Sequence, residues 1–195
     1  MPLDHPDFEP VWAAAAEHDL AITLHTFTVM PPYAPGGTDT WENLFLQRSA
    51  SHPWCGMRNM AALIGSGVMD RHPKLRIGTL EAGHGWLPFW MARIDEHART
   101  IRSEIPNLKM MPSEYVLCGR YFQSIEIPEG ERITNSVCDM LGDEVLMYAS
   151  DYPHWDFDLP STIWDLPFLS DKARHNILGG TAHKLFKLPP RNEAQ

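Results

Sequence analysis

Asp151 follows the apolar run Val145-Leu146-Met147-Tyr148-Ala149 and precedes Tyr152-Pro153-His154. A carboxylate delivered at the end of a buried segment needs a partner, because leaving it unpaired in apolar surroundings is costly. A metal, a histidine or a helix N-terminus would supply one; capping the next helix is the structural alternative. His25 closes a second run, Ala21 to Leu24, and reads as a further member of the same constellation or as a histidine bonded to backbone. Glu81 and His84 close a third, Leu75 to Leu80, and Glu126 follows Arg120 to Ile125. Carboxylates and imidazoles are the groups that carry protons in catalysis and that hold divalent metals.

Each of these runs is too short for a helix and has few polar residues on either side, as buried strands require. Four strands are therefore expected, near residues 20–25, 75–81, 120–126 and 145–151. Between them lie helical patterns: Phe8, Val11, Trp12 and Ala15; Met57, Met60, Ala61, Ile64 and Val68; Trp86, Phe89, Trp90 and Ile94; Ile133, Val137, Met140 and Leu141. A short helix is expected around Trp41 to Arg48, and Ser170 should cap a helix from Asp171 to Leu178 that Gly179-Gly180 breaks. Alternating helix and strand is the signature of parallel βα units, so all the tips fall on one rim. The segment Phe27 to Pro53, rich in Pro and Gly, reads as a lid-like insertion over that rim.

Composition narrows the function. A net charge of −9 and the lack of a Lys/Arg cluster with interleaved aromatics argue against nucleic acid. Cys55, Cys118 and Cys138 are widely spaced, which suggests neither disulfides nor a zinc knuckle and fits a reducing, cytoplasmic compartment. No apolar run is long enough to span a bilayer, so no membrane role is expected.

The motifs Leu24-His25, Leu80-Glu81-Ala82-Gly83-His84-Gly85-Trp86-Leu87-Pro88-Phe89-Trp90 and Tyr148-Ala149-Ser150-Asp151-Tyr152-Pro153-His154 resemble an amidohydrolase-related family. The branch is the one containing aminocarboxymuconate-semialdehyde decarboxylase and related aromatic-acid decarboxylases. The resemblance runs over residues 1–195 as one domain and implies an α/β fold, part of a (β/α)8 TIM barrel comprising strands five to eight. It also implies one divalent metal, usually zinc, with His25 as the fifth-strand ligand and Asp151 as the eighth-strand ligand. At the sixth strand, either Glu81 or His84 takes the place of the family's catalytic histidine. Two features depart from the pattern: there is no His-x-His pair among the ten histidines, and about four βα units are present where a full barrel takes roughly 250 residues.

The expected function is that of a metal-dependent hydrolase or decarboxylase of a small carboxylated or ring-containing substrate. Asp151 would bind metal and move a proton, His84 or Glu81 would act as acid or polarise the substrate, and His154 would orient Asp151. The chain reads as N-terminally truncated, to be completed by an N-terminal half or by homo-oligomerisation. The alternative is a non-catalytic half-barrel that self-associates or needs a partner chain.

Overall fold

The computed structural model describes residues 2–26 and 37–189. Its centre is a parallel sheet of β1 (Ala21–His25), β2 (Arg76–Leu80), β3 (Tyr121–Ser124) and β4 (Leu146–Met147), adjacent in that order. The register pairs His25 with Leu80, Thr79 with Gln123 and Ser124 with Met147, so every C-terminal tip lies along one edge. The fourth strand is two residues long rather than running to Asp151. Beyond Met147 the ladder ends because the Tyr148 N–H donates to Ile177 O at 2.7 Å.

Around the sheet lie α1 (Glu9–Glu17), α2 (Leu44–Gly65), α3 (Val68–Arg71), α4 (Trp86–Thr100), α5 (Pro112–Leu117), α6 (Glu131–Leu141), α7 (Pro160–Trp164), α8 (Asp171–His175) and α9 (Thr181–Phe186). Side chains alternate across a strand. Ile77, Tyr121 and Leu146 therefore point into the main core, against Met60, Leu63 and Ile64 of α2, Leu87 and Met91 of α4 and Val137 of α6. Phe122 and Met147 point to the opposite face, where Leu185 of α9 covers them. Gly78 permits that cover, since a Cβ there would stand 3.0 Å from Leu185 Cδ2 and 3.2 Å from Met147 Cε. Burying Leu185 completely contributes roughly 1.5–3 kcal/mol.

Two helices differ from expectation. In place of a short helix ending near Arg48 and a separate one from Met57, α2 runs unbroken for 22 residues with Pro53 inside it. Its start is fixed by Asn43, whose side chain accepts from the N–H groups of Phe45 and Leu46. Residues 27–36 of the expected lid lie outside the described residues, and its last part, from Leu44, is helix. Nor do Gly179 and Gly180 break the C-terminal helix. They belong to a π turn, Asn176–Gly180, that joins α8 to α9. A wider turn takes carbonyls out of the regular ladder, and Ile177 O is the acceptor used by Tyr148. Among the described residues no helix is long and apolar enough to cross a membrane.

Candidate active site

His25, at the end of β1, has Nδ1 2.6 Å from the Thr26 carbonyl oxygen. A carbonyl can only accept, so Nδ1 carries the hydrogen and Nε2 is the ring nitrogen turned toward Glu81. That Nε2 stands 3.1 Å from Glu81 Oε2. Two acceptors at this separation repel unless a proton or a cation lies between them.

Glu81 follows β2 with a left-handed backbone, φ +55°, an uncommon state for a residue with a side chain. Three elements hold it there. Its N–H donates to Ser124 Oγ of β3 at 3.0 Å, and its carbonyl accepts from Thr26 Oγ1 at 2.7 Å and from His52 Nδ1 of α2 at 2.9 Å. The same argument as for His25 puts the hydrogen of His52 on Nδ1, and burial pushes the basicity of this ring down. Arg48 of α2 bridges Glu81 Oε1 and Asp156 Oδ2, each at 3.4 Å, with its guanidinium 5.7 Å from the Trp155 ring centroid.

Asp151 also has φ +55°. His154 Nδ1 lies 2.8 Å from its Oδ2. Glu81, Asp151 and His154 each offer a ligand atom within 4.8 Å of the other two. All but His154 face a cavity of about 550 Å³ that also takes in His25, Arg48, His52 and Glu126. Glu126 enters from just past β3, and its carboxyl is pushed up to about 7 by burial first and then by Glu81, Glu129, Asp151 and Asp156.

His84 does not join this group, so the expectation of an acid or polarising residue at that position is corrected. Its side chain is fully buried, with Nε2 3.0 Å from Thr134 Oγ1 and Nδ1 2.7 Å from Glu129 Oε2. Thr134 gives its own hydrogen to Gly130 O, so it accepts from Nε2, while Nδ1 lies beside Glu129 Oε2 and 3.2 Å from the Glu126 backbone N–H. The same Glu129 oxygen accepts from the N–H groups of His84 and Gly85, each at 2.8 Å. Burial pushes the Glu129 carboxyl up, but these partners outweigh it and hold it below the usual range. His84 and Glu129 thus clamp the entry to α4.

Sequence reasoning missed Arg48 and His52. They come from a helix rather than a strand tip, and the one signal was their place in the segment expected to close over the rim. Glu126 was visible as a strand-tip acid, but nothing in its neighbourhood marked it out.

Solved structures similar to this chain include 5-carboxyvanillate decarboxylase LigW from Sphingomonas paucimobilis. Its TM-score is 0.76 at 26% identity, covering 97% of this chain and 56% of that one. A second is the 5-carboxyvanillate decarboxylase of Novosphingobium aromaticivorans complexed with manganese and 4-hydroxy-3-methoxy-5-nitrobenzoic acid. It has a TM-score of 0.72 at 22% identity over 96% and 53% of the two chains, a likeness of fold. Among curated proteins, the gamma-resorcylate decarboxylase of Rhizobium radiobacter is 26% identical over 96% of this chain and 57% of its own length. That of Rhodococcus jostii is 27% identical over 95% and 55%. The chain spans about half the length of the curated relatives it matches. A model of the amidohydrolase family matches residues 1–188, from the helix before β1 through the last helix, and this chain accordingly belongs to the amidohydrolase family.

Proposed function

We propose that this chain carries half of the active site of a metal-dependent decarboxylase acting on a small carboxylated aromatic compound. The observation that carries the reading is the convergence of His25 Nε2 and the Glu81 carboxylate, 3.1 Å apart, on the cavity that Asp151 also lines, with the other His25 nitrogen committed to a carbonyl. A ligating imidazole is ordinarily oriented by such a carbonyl bond. The donor set suits a borderline or hard divalent cation such as zinc or manganese. His25 Nε2 and Asp151 would hold it, with Glu81 as a third donor and His154 steadying Asp151. Once bound, the cation supplies Lewis-acid stabilisation of negative charge on the substrate.

The remaining tasks fall to the chain's own groups. Arg48, beside Trp155, offers a guanidinium for an anionic group and an aromatic face for a ring. His52 presents Nε2 as a lone pair at the cavity wall and can accept a proton from a phenolic hydroxyl. Relatives that are decarboxylases of hydroxylated aromatic acids favour decarboxylation over hydrolysis. None of the three cysteines, all among the described residues, is in a disulfide, in keeping with a cytoplasmic protein.

Within the described residues β1 pairs with β2 and β4 with β3, leaving two outer edges. We take these edges as the place where a completing half, with further ligands, would pair. The test compares metal content and turnover of aromatic acids by the 195-residue chain with those of the chain joined to such a half carrying a His-x-His strand. Weak metal binding and negligible turnover are expected for the chain alone, and recovery of both on joining. Tightly held stoichiometric metal with full turnover in the short chain would overturn the need for completion. Metal retention by His25→Ala and Asp151→Ala would overturn the site.

The same edges support a second reading, a non-catalytic half-barrel that pairs with a copy of itself. A dimer that binds neither metal nor aromatic acid would favour it.

A further inference from the structure

We infer that Gly56 is a positioning residue for the candidate site: it lets α2 lie against the tip of β2 closely enough for His52 and Arg48 to reach Glu81. The inference rests on the reading above for the part those three side chains play in the reaction.

Gly56 is buried in the interior of α2 with a helical backbone, so neither a turn nor a left-handed conformation calls for it. Glycine is among the poorest residues for a helix interior, and close packing is the reason that remains. A Cβ built there would stand 3.1 Å from Trp86 Cζ2, 3.2 Å from Ala82 Cβ and 3.6 Å from Thr79 Cγ2. These neighbours come from β2, from the loop that follows it and from the start of α4. By contrast Gly65, at the end of the same helix, faces open space, with nothing within 4 Å of a built Cβ.

The neighbours are fastened from the other side. The Trp86 indole N–H donates to the carbonyls of Ala82 and Gly83, each at 3.0 Å. Ala82 is buried between two left-handed residues, Glu81 and Gly83. Two side chains of β3 hold both ends of that turn: Ser124 Oγ accepts the Glu81 N–H at 3.0 Å, and Gln123 Nε2 donates to Gly83 O at 2.7 Å. With the turn fixed in this way, a methyl group added at Gly56 displaces α2 by a few tenths of an ångström.

Arg48, His52 and Gly56 are spaced four residues apart and share one face of the helix. One turn toward the N-terminus from Gly56, His52 Nδ1 donates to Glu81 O at 2.9 Å. A turn further, Arg48 Nη2 meets Glu81 Oε1 and Asp156 Oδ2, each at 3.4 Å. The Arg48 contacts are already near the limit of hydrogen bonding, so a shift of that size breaks them and stretches the bond from His52. Gly56 acts on the reaction only through those two side chains, and a misplacement of about 1 Å at a reacting group costs on the order of 10²-fold in rate.

The test compares Gly56→Ala with Gly65→Ala, which makes the same change of helix propensity where there is room. On the metal-free 195-residue chain, nitrogen-edited NMR reads the proton on His52 Nδ1, assigned by its disappearance in His52→Gln. A slowly exchanging proton is expected in the wild type and in Gly65→Ala, and its loss in Gly56→Ala. In the form of the protein that turns over, Gly56→Ala should lower kcat about 10–10²-fold, and Gly65→Ala should leave it unchanged. Adding Ala82→Gly to Gly56→Ala removes one of the two tightest contacts and should return the His52 proton and part of the turnover, a rescue that general destabilisation does not give. A folded Gly56→Ala chain that keeps the slow proton, or that turns over like the wild type, overturns the assignment and leaves the decarboxylase reading intact. If Gly56→Ala does not fold, the double variant decides: a folded chain with the slow proton supports the assignment, and one that lacks it or does not fold overturns it. A completed wild type inert toward aromatic acids, together with loss of the proton in Gly56→Ala, overturns the decarboxylase reading and supports the placing of α2 by Gly56.

Discussion

The Thr26 carbonyl decides what His25 can do, because a hydrogen bond on Nδ1 leaves Nε2 as a ligand atom. His25→Ala and Asp151→Ala should each abolish binding of Mn²⁺ or Zn²⁺, whereas His154→Ala should weaken it by about 10–100-fold, since His154 orients a ligand without being needed as one. Titration calorimetry distinguishes these outcomes. Glu126 gives a prediction of opposite character, about pH. Its folded value of about 7 lies above the 4.5 of an ordinary glutamate. Its contribution is thus fully present below pH 4.5 and is lost as pH rises through 7. In the metal-free chain, Glu126→Gln should match the wild type at pH 4 and exceed it at pH 8 by about 2 kcal/mol, allowing for screening at the open mouth. Urea unfolding at the two pH values checks this. His25 and Glu81 were legible because a polar residue closing an apolar run emerges at a strand end, and Asp151 because it follows the apolar run that holds β4, although the strand itself stops at Met147. His84 was misread because spacing does not reveal whether a loop side chain turns toward the rim or, as here, under the adjoining helix.

Among the elements, α4 is the one whose start depends on a residue far away in sequence. Glu129 accepts from the N–H groups of His84 and Gly85 and lies against the His84 ring, so Glu129→Ala leaves buried donors without partners and should cost about 2–5 kcal/mol. Gly83→Ala should act at the same joint: φ there is +68°, and a Cβ would stand 2.4 Å from Glu129 Oε1. Denaturant midpoints of both variants should fall, together with loss of Mn²⁺ binding, because Glu81 lies just upstream. This long-range cap left no trace in the local pattern. The strands and most helices were legible from periodicity, which reports which face is buried. Where Pro53, Gly179 and Gly180 were read as breaks, tertiary packing overrode local preference: α2 passes through its proline while Met60, Leu63 and Ile64 anchor the following turns, and the π turn is held by the bond from Tyr148.

At the scale of the molecule, the order of four parallel strands followed from the alternation of strand and helix, and the shared rim from their common direction. What could not be read was the second face of the sheet, because nothing in a helical hexapeptide says that it will lie across strands rather than beside them. Leu185→Ala should cost about 2–5 kcal/mol by opening a void over Phe122, Met147 and Gly78. The variant should also take up a hydrophobic dye that the wild type excludes. The same contact sets a timetable for biosynthesis. Residues 181–187 leave the ribosome after every strand has, yet Leu185 covers the sheet, Arg76 Nε reaches Leu185 O at 2.8 Å and Lys187 pairs with Asp19. Until those residues emerge, the nascent sheet presents an open greasy face with Phe122 and Met147 uncovered, the state in which a chaperone would be expected to hold it.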